Sequence, residues 1–419
     1  MSTDRLTKQS YIKQTSRVFI LTELLSEPLW VMYNLLAFIL RRDLGATSIQ
    51  ISMLATLKPL VALLSLYWSF TISDRKDRLR SNVFWAGFLG RLPFLMFFFV
   101  DSPWVIILAA AFFMLLKRGG LPAWMEIMKL NLPSECRGRI FSMGSSLAYV
   151  AGILLSIFIG GLLDRHALIW RWLFPITAVI GMVAVFRQRF LPINGVSLDR
   201  SLPVIWKGES SWKKRITTPW KMAYKLIREE PDFAHFQVGF MICGFALMLI
   251  MPVLPIFYID YLKISYMDLA VAIGVFKGMG FALSSFYWPR ILQKIKIYNT
   301  IAIVCILFAV FPLLAIFAQH HINYLYLAYL VYGVSQGGSH LCWNMSGPIF
   351  SHDNDSSMYS SVNILMVGLR GCLAPVLGGV LICIFAPKYI LMGSMILSII
   401  AAIYLFGYSF YKKMSKKFC

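Results

Sequence analysis

Twelve apolar segments, each about as long as a membrane-crossing helix, constrain the fold of this chain more than any other feature. A helix needs about 20 residues to cross a hydrocarbon core of about 30 Å. With 58% hydrophobic and only 14% charged residues, the 419-residue chain has the composition of a protein solvated largely by lipid. We therefore predict an all-α membrane protein with twelve transmembrane helices. The segments lie at 18–40, 49–72, 82–100, 103–128, 140–163, 170–190, 233–259, 268–288, 298–318, 323–346, 359–385 and 388–410.

A polar, basic stretch at 191–232 divides the segments into two groups of six. We therefore predict an N-terminal six-helix bundle over 1–190, a linker over 191–232 and a C-terminal six-helix bundle over 233–419. Glycine pairs recur in the two groups at the same offset, which favours two related halves. The recurring pairs are Gly119-Gly120 with Gly337-Gly338, and Gly160-Gly161 with Gly378-Gly379.

The basic residues are distributed unequally between the two ends of the segments. If the N-terminus is cytoplasmic, 28 of the 40 Lys and Arg residues lie on the cytoplasmic side, 6 on the other side and 6 within the spans. This bias predicts that both termini are cytoplasmic and that the linker is too. It also accounts for the net charge of +21 without a nucleic-acid partner, because a basic face suits anionic lipid headgroups.

The loop after the second segment carries a charge pattern with Asp74, Arg75 and Arg78 at fixed spacing. The pattern resembles the Gly-x-x-x-Asp-Arg-x-Gly-Arg-Arg loop of the major facilitator superfamily, with Phe70 and Asp77 in place of the two glycines. The resemblance implies two pseudo-symmetric six-helix bundles and a central cavity that opens to one side at a time. It also implies that the loop charges form a gate and that the first helix lines the cavity.

Other classes of site have no pattern in the sequence. The seven cysteines and six histidines are scattered and show no metal-ligand spacing. No Gly-x-x-x-x-Gly-Lys-Ser/Thr loop for an ATPase motor is present. We therefore predict a non-enzymatic, monomeric protein without cofactor or metal. Its expected partners are a small-molecule solute and membrane lipids, and its expected location is the bacterial inner membrane.

Apart from histidines and the charges at the span ends, nine acidic or basic side chains within the predicted spans are the candidates for a functional site. Each charge that faces lipid at the bilayer centre costs at least about 3 kcal/mol. Nine such costs would exceed the roughly 5–15 kcal/mol by which a typical domain is stable. We therefore expect most of these side chains to pair with each other or to line a wet cavity. They are Glu23, Glu27, Lys58, Arg91, Lys117, Arg118, Glu126, Lys277 and Arg370.

Glu23 and Glu27 lie four residues apart and share one face of the first helix. A carboxylate in a partly dry site can take up a proton near neutral pH. Glu27, the deeper of the two, is our candidate for coupling to H+. For Glu23, near the cytoplasmic end, we expect an interfacial ion pair.

Lys117 and Arg118 point about 100° apart on the fourth helix, so one cavity hardly accommodates both. We predict that Arg118 contacts the substrate or pairs with a glutamate, because an intramembrane arginine is a functional candidate by default. Glu126 lies on roughly the same side as Arg118, near the cytoplasmic end, where water can also solvate it. Its counterpart in the second half is Asn344.

Lys58 and Lys277 lie at matching depths in the two predicted halves. Two interpretations are open: a pair of cations at the central axis, or two structural contacts to carbonyl groups at helix ends. We expect Arg370 to pack between helices and Arg91 to pair with a carboxylate of the first helix. Six basic and three acidic residues leave a surplus of positive charge in the spans. The surplus favours an anionic or zwitterionic solute, because Arg and Lys bind carboxylate and phosphate.

Three functions follow from these patterns. The first is a secondary active solute transporter, which the charged spans favour. The second is a flippase for lipid or lysolipid on the same fold, which the many Phe and Met residues would suit. The third is a membrane-embedded enzyme, which usually needs clustered His or Asp residues that this sequence lacks.

Overall fold

A computed structural model describes residues 2–73, 78–193, 212–351 and 356–418, and most of them are helical. The chain divides into two compact units. The first consists of Met1–Ala46 and Val61–Gly208, and the second of Thr47–Leu60 and Glu209–Cys419. The predicted domain limits at 190 and 233 stay a prediction.

Six long helices precede the linker. The left-handed Gly45 ends the first of them, and Pro103 begins the fourth at a position where a missing N–H costs nothing. A 3₁₀ segment, Leu92–Phe99, continues the third. The helices are α1 Ser2–Leu44, α2 Ser48–Ser73, α3 Leu79–Arg91, α4 Pro103–Asn131, α5 Ser134–Arg165 and α6 Trp170–Gln188.

The helices after Glu209 are more often interrupted. Two π-helical segments, Phe257–Tyr261 and Val271–Phe276, lie between shorter α-helices. π-Helical turns are frequent at functional sites. The helices are α7 Trp212–Glu229, α8 Pro231–Ile250, α9 Val253–Ile256, α10 Tyr266–Ala270, α11 Lys277–Ser285, α12 Trp288–Lys294, α13 Ile297–Phe317, α14 Asn323–Ser351, α15 Ser356–Leu381 and α16 Pro387–Phe418.

The helices agree with the predicted membrane architecture. Within the described ranges, 10 helical stretches are long and apolar enough to cross a membrane. The other two predicted spans are helical as well, in α2 and α14, and Ser48–Val61 of α2 is a shorter apolar stretch among the described residues. The all-α membrane fold is therefore confirmed, and the count of twelve spans stays a prediction.

The linker contains a helix that the sequence analysis did not predict. α7 covers much of the basic stretch and docks through the buried side chains of Ala223 and Leu226. Trp220 and Tyr224, one turn apart, are exposed on another face. The basic composition of the stretch indicated a polar linker, whereas the helical spacing of Ala223 and Leu226 is what indicates this amphipathic helix.

Aromatic packing holds the first unit together. Phe94 lies 5.6 Å from Phe174 and 5.2 Å from Phe113 between ring centroids, so three helical segments meet at one ring. A second buried cluster lies where α3 begins and α4 ends, and it includes Phe19 of α1 and Trp124 of α4. These two cores fix α1, α3, α4 and α6 around the charged side chains that lie among them.

Glycines bring α11 and α14 into backbone contact within the second unit. A side chain at Gly333 would overlap the carbonyl group of Lys277, and one at Gly280 would overlap the carbonyl oxygen of Leu330. Small residues permit such close approach of two membrane helices. The contact fixes the backbone of Lys277 against α14.

Replacing Gly333 by Ala should destabilise the protein by about 1–3 kcal/mol, as overpacking of a well-packed interior does. We expect a lower midpoint of thermal unfolding in detergent. Gly393→Ala is the matched control, because a Cβ there meets nothing within 4 Å. An unchanged midpoint for Gly333→Ala would contradict the close contact of α11 and α14.

Candidate functional site

Four charged side chains of the first unit lie near each other, and we call them the carboxylate cluster: Glu23, Glu27, Arg91 and Lys117. Glu23 interacts electrostatically with Lys117 and Arg91, and Glu27 interacts with Lys117. Two acids and two bases make the cluster neutral when all four are charged. The arrangement therefore lowers the cost of keeping ions within a membrane-spanning bundle.

Arg91 is held in a slot that glycines leave open. Its Nη1 donates to the carbonyl oxygen of Gly87 at 2.6 Å and its Nη2 to Ser26 Oγ at 2.9 Å. A Cβ at Gly181 would lie 2.5 Å from Arg91 Nε, so only glycine leaves room for the guanidinium group. Arg91 is 7% exposed. This geometry gives Arg91 a fixed position beside the first helix.

Lys117 lies over an aromatic surface. Its Nζ is 3.7 Å from the centroid of the Trp30 ring, which in turn stacks on Tyr33 with a centroid separation of 5.4 Å. An ammonium group over a Trp face is stabilised by the ring quadrupole. Lys117 therefore has partners of two kinds, the ring of Trp30 and the carboxylates of Glu23 and Glu27.

Glu27 packs closely against α5. A Cβ at Gly152 would lie 2.6 Å from Glu27 Oε1, and Tyr149 on the same helix interacts electrostatically with this carboxylate. Glu27 therefore contacts α5 while it also interacts with Lys117 of α4. A change in its protonation would alter the interactions of both helices.

Arg118 differs from the other basic residues of the first unit. Its side chain is partly buried. Among the side chains that the structure describes, none forms a hydrogen bond or an ion pair with it. A partly buried guanidinium group carries five donors and binds carboxylate or phosphate well. Arg118 is thus the group best placed to receive an anionic ligand.

Two other candidates form local interactions on their own helices. Glu126 lies 3.9 Å from Lys129 in an i,i+3 pair near the end of α4. Asn344 donates from Nδ2 to the carbonyl oxygen of His340 at 2.8 Å. These contacts offer a structural role for both side chains.

Lys277 and Lys58 belong to the second unit, where they interact electrostatically with each other. The Nζ atom of Lys277 lies 4.8 Å from the centroid of the Tyr332 ring. Lys277 also follows directly after the π-helical segment Val271–Phe276. Two like charges in proximity repel each other, and an anion beside them would relieve that repulsion.

Arg370 is buried in a separate place. Its Nη1 donates to the carbonyl oxygen of Phe240 at 2.6 Å, and its guanidinium lies 4.7 Å from the ring centroid of the same residue. A side chain at Gly244 would overlap this guanidinium group. Arg370 therefore packs between α15 and α8, apart from the lysine pair.

The predicted gate is only partly within the described residues. Asp74 and Arg75 lie outside them, and their role stays a prediction. Arg78 is exposed and directly precedes α3. In the described part of the chain, no three His, Cys, Asp or Glu side chains lie together as a metal site would require.

The sequence analysis missed the neutral residues that shape the site. Trp30, Gly152 and Gly181 contact charged side chains but have no charge themselves. Trp30 follows Glu23 and Glu27 at helical spacing, and this signal could have found it. Nothing local in the sequence distinguishes Gly152 or Gly181 from other helix glycines, because their role depends on a neighbouring helix.

The family model of the Major Facilitator Superfamily matches residues 21–375 of the chain, which is more than half of its length. The chain belongs to the major facilitator superfamily. The resemblance that the loop after the second segment indicated is therefore confirmed. As a member of this superfamily the chain is an integral, multi-pass membrane protein and a secondary transporter rather than an enzyme.

Solved structures of other superfamily members share the fold. The nucleoside transporter NupG has a TM-score of 0.71 at 14% identity, with 94% of this chain and 99% of that chain covered. A bacterial homologue of the human lysosomal transporter Spinster has a TM-score of 0.65 at 14% identity, with 95% and 96% covered. A POT family transporter in complex with 5-aminolevulinic acid has a TM-score of 0.72 at 13% identity, with 94% and 96% covered.

No curated protein matches the chain in sequence. These three solved structures are below 15% identical to the chain, so they show the fold alone. The solute of this superfamily member must therefore be inferred from its own side chains.

Replacing Gly152 by Ala should displace the Glu27 carboxylate without unfolding the protein, because the side chain can move away from the new methyl group. We expect uptake into proteoliposomes to fall by about tenfold or more, since small misplacements of functional groups are costly. Gly161→Ala on the same helix is the control, because a Cβ there meets nothing within 4 Å. Wild-type uptake by Gly152→Ala would contradict a role for the position of Glu27.

Proposed function

We propose that this chain is a proton-coupled secondary active transporter that moves a small anionic or zwitterionic solute by alternating access. Two observations carry the proposal together: the carboxylate cluster, and the partly buried Arg118, which follows Lys117 in α4. The cluster offers a carboxylate that can exchange a proton, and Arg118 offers a cation that no described side chain engages.

Glu27 is the proposed coupling residue. Protonation removes its charge and so weakens its attraction to Lys117 on α4. Since Glu27 also packs against Gly152 of α5, gain or loss of the proton changes the forces between three helices. A proton that alters helix contacts in this way can favour one of two conformations.

The proposed preference for an anionic solute rests on the positive charge that the glutamates of the first unit do not compensate. Glu23 and Glu27 compensate Arg91 and Lys117, whereas Arg118 has no such counterpart among the described side chains. Lys277 of the second unit adds positive charge. A zwitterion satisfies the same sites if its cationic group meets a glutamate.

Other parts of the proposal come from the distribution of charge along the sequence. We propose that both termini and the linker are cytoplasmic, that the membrane is the bacterial inner membrane and that the protein is a monomer. The loop charges Asp74, Arg75 and Arg78 are proposed as a gate. The basic residues near the span ends support this orientation through the positive-inside rule.

Replacing Glu27 by Gln should abolish the response of uptake to a pH gradient, because an amide neither takes up nor releases a proton. Uptake into proteoliposomes is measured with and without an imposed gradient. Glu229→Gln, an exposed carboxylate of α7, should leave the response intact. Gradient-driven uptake that persists in Glu27→Gln would remove Glu27 as the coupling site.

Replacing Arg118 by Ala should weaken solute binding by about ten- to hundredfold, the range expected for a lost hydrogen bond to a charged group. Labelled carboxylates, phosphates and amino acids are screened first in proteoliposomes, and affinity for the transported solute is then compared. Arg228→Ala, an exposed arginine of α7, is the control. Equal affinity in both variants would contradict the assignment, and movement of labelled lipid without any solute would favour a flippase.

A further inference from the structure

A groove on the first unit lies where α3 begins and α6 ends. It has a volume of about 460 Å³. Two arginines and three aromatic residues dominate its walls. Its lining residues are Arg80, Ser81, Phe84, Trp85, Arg189 and Phe190.

The two arginines of the groove are available for an anion. Neither Arg80 nor Arg189 forms a hydrogen bond or ion pair with a side chain that the structure describes. The guanidinium carbon of Arg189 lies 5.7 Å from the centroid of the Phe84 ring, which orients the group along the groove wall. A phosphate group accepts two hydrogen bonds from an arginine, so two arginines in one groove suit a phosphate.

The aromatic residues indicate that the ligand also has an apolar part. Trp85 is 51% exposed and Phe190 is 67% exposed. Large exposed aromatic side chains at helix ends are typical of the membrane interface, where the ring meets lipid and the headgroups lie beside it. A soluble anion would gain nothing from these rings.

A second groove adjoins the first at Trp85, which lines both. Its volume is about 230 Å³, and its apolar wall is formed by Ala86, Leu89 and Leu116. Arg78, Ser81 and Asn82 also line it, and Asn82 Oδ1 is buried without a hydrogen-bond partner among the described residues. The two grooves thus share Ser81 and Trp85, and the second reaches along α3 to Leu116 of α4.

We propose that these two grooves bind one anionic phospholipid, with its phosphate between Arg80 and Arg189 and its acyl chains along Trp85. The first groove supplies charge for the headgroup, and Ala86, Leu89 and Leu116 of the second supply an apolar wall for the chains. The site is separate from the carboxylate cluster. A lipid bound there stabilises the contact between α3 and the end of α6. The stability of this contact therefore depends on the lipid composition of the surrounding leaflet.

The test is native mass spectrometry of the full chain in detergent, titrated with phosphatidylglycerol or phosphatidylcholine. Each basic side chain near an anionic surface contributes about fivefold in affinity, so we expect about twenty- to thirtyfold preference for phosphatidylglycerol. Arg80→Gln/Arg189→Gln should abolish that preference. The double variant Arg80→Lys/Arg189→Lys should retain most of it. The midpoint of thermal unfolding is measured for each variant, and a value equal to that of the wild type shows that the variant is folded.

Arg187→Gln is the matched control, because Arg187 is an exposed arginine at the same end of α6 that does not line the groove. It should bind phosphatidylglycerol as the wild type does. An equal loss in Arg187→Gln would reduce the effect to general surface charge and overturn the site. Full retention of phosphatidylglycerol by the double Gln variant would overturn it as well.

Discussion

The cost of an ion in hydrocarbon is the constraint on which the rest of this structure depends. A charged side chain at the bilayer centre costs several kcal/mol unless it finds a partner or water. In the first unit Glu23 and Glu27 meet Arg91 and Lys117, and in the second Arg370 meets the carbonyl oxygen of Phe240. The helices are thus packed so that a few ionised side chains lie next to groups that stabilise their charge.

Glycines make that arrangement possible. Arg91 lies against Gly181, Glu27 against Gly152 and Arg370 against Gly244, and a Cβ at any of the three would come within 3 Å of the charged side chain. The same device brings α11 to α14 at Lys277. These three helix glycines therefore leave room for a charged side chain from a neighbouring helix.

The charges that are satisfied within the protein differ in role from those that are open. Arg91 and Arg370 each donate to a backbone carbonyl and are buried, which suits fixed structural groups. The side chains of Arg118 in α4 and of Arg80 and Arg189 at the helix ends form no hydrogen bond or ion pair with the described residues. We assign the open groups to ligands, a solute for Arg118 and a phospholipid for the pair at the membrane interface.

The sequence by itself determined the membrane fold, the superfamily and the set of charged candidates, because apolar length, charge bias and the Asp74–Arg78 loop pattern are local features. Only the tertiary structure decided which charges meet. Lys117 rests on Trp30, Glu126 pairs with Lys129 and Asn344 bonds to His340. Helical spacing defines the face of a side chain, whereas its partner depends on the helix packed opposite, and that packing is set by side chains far apart in the chain.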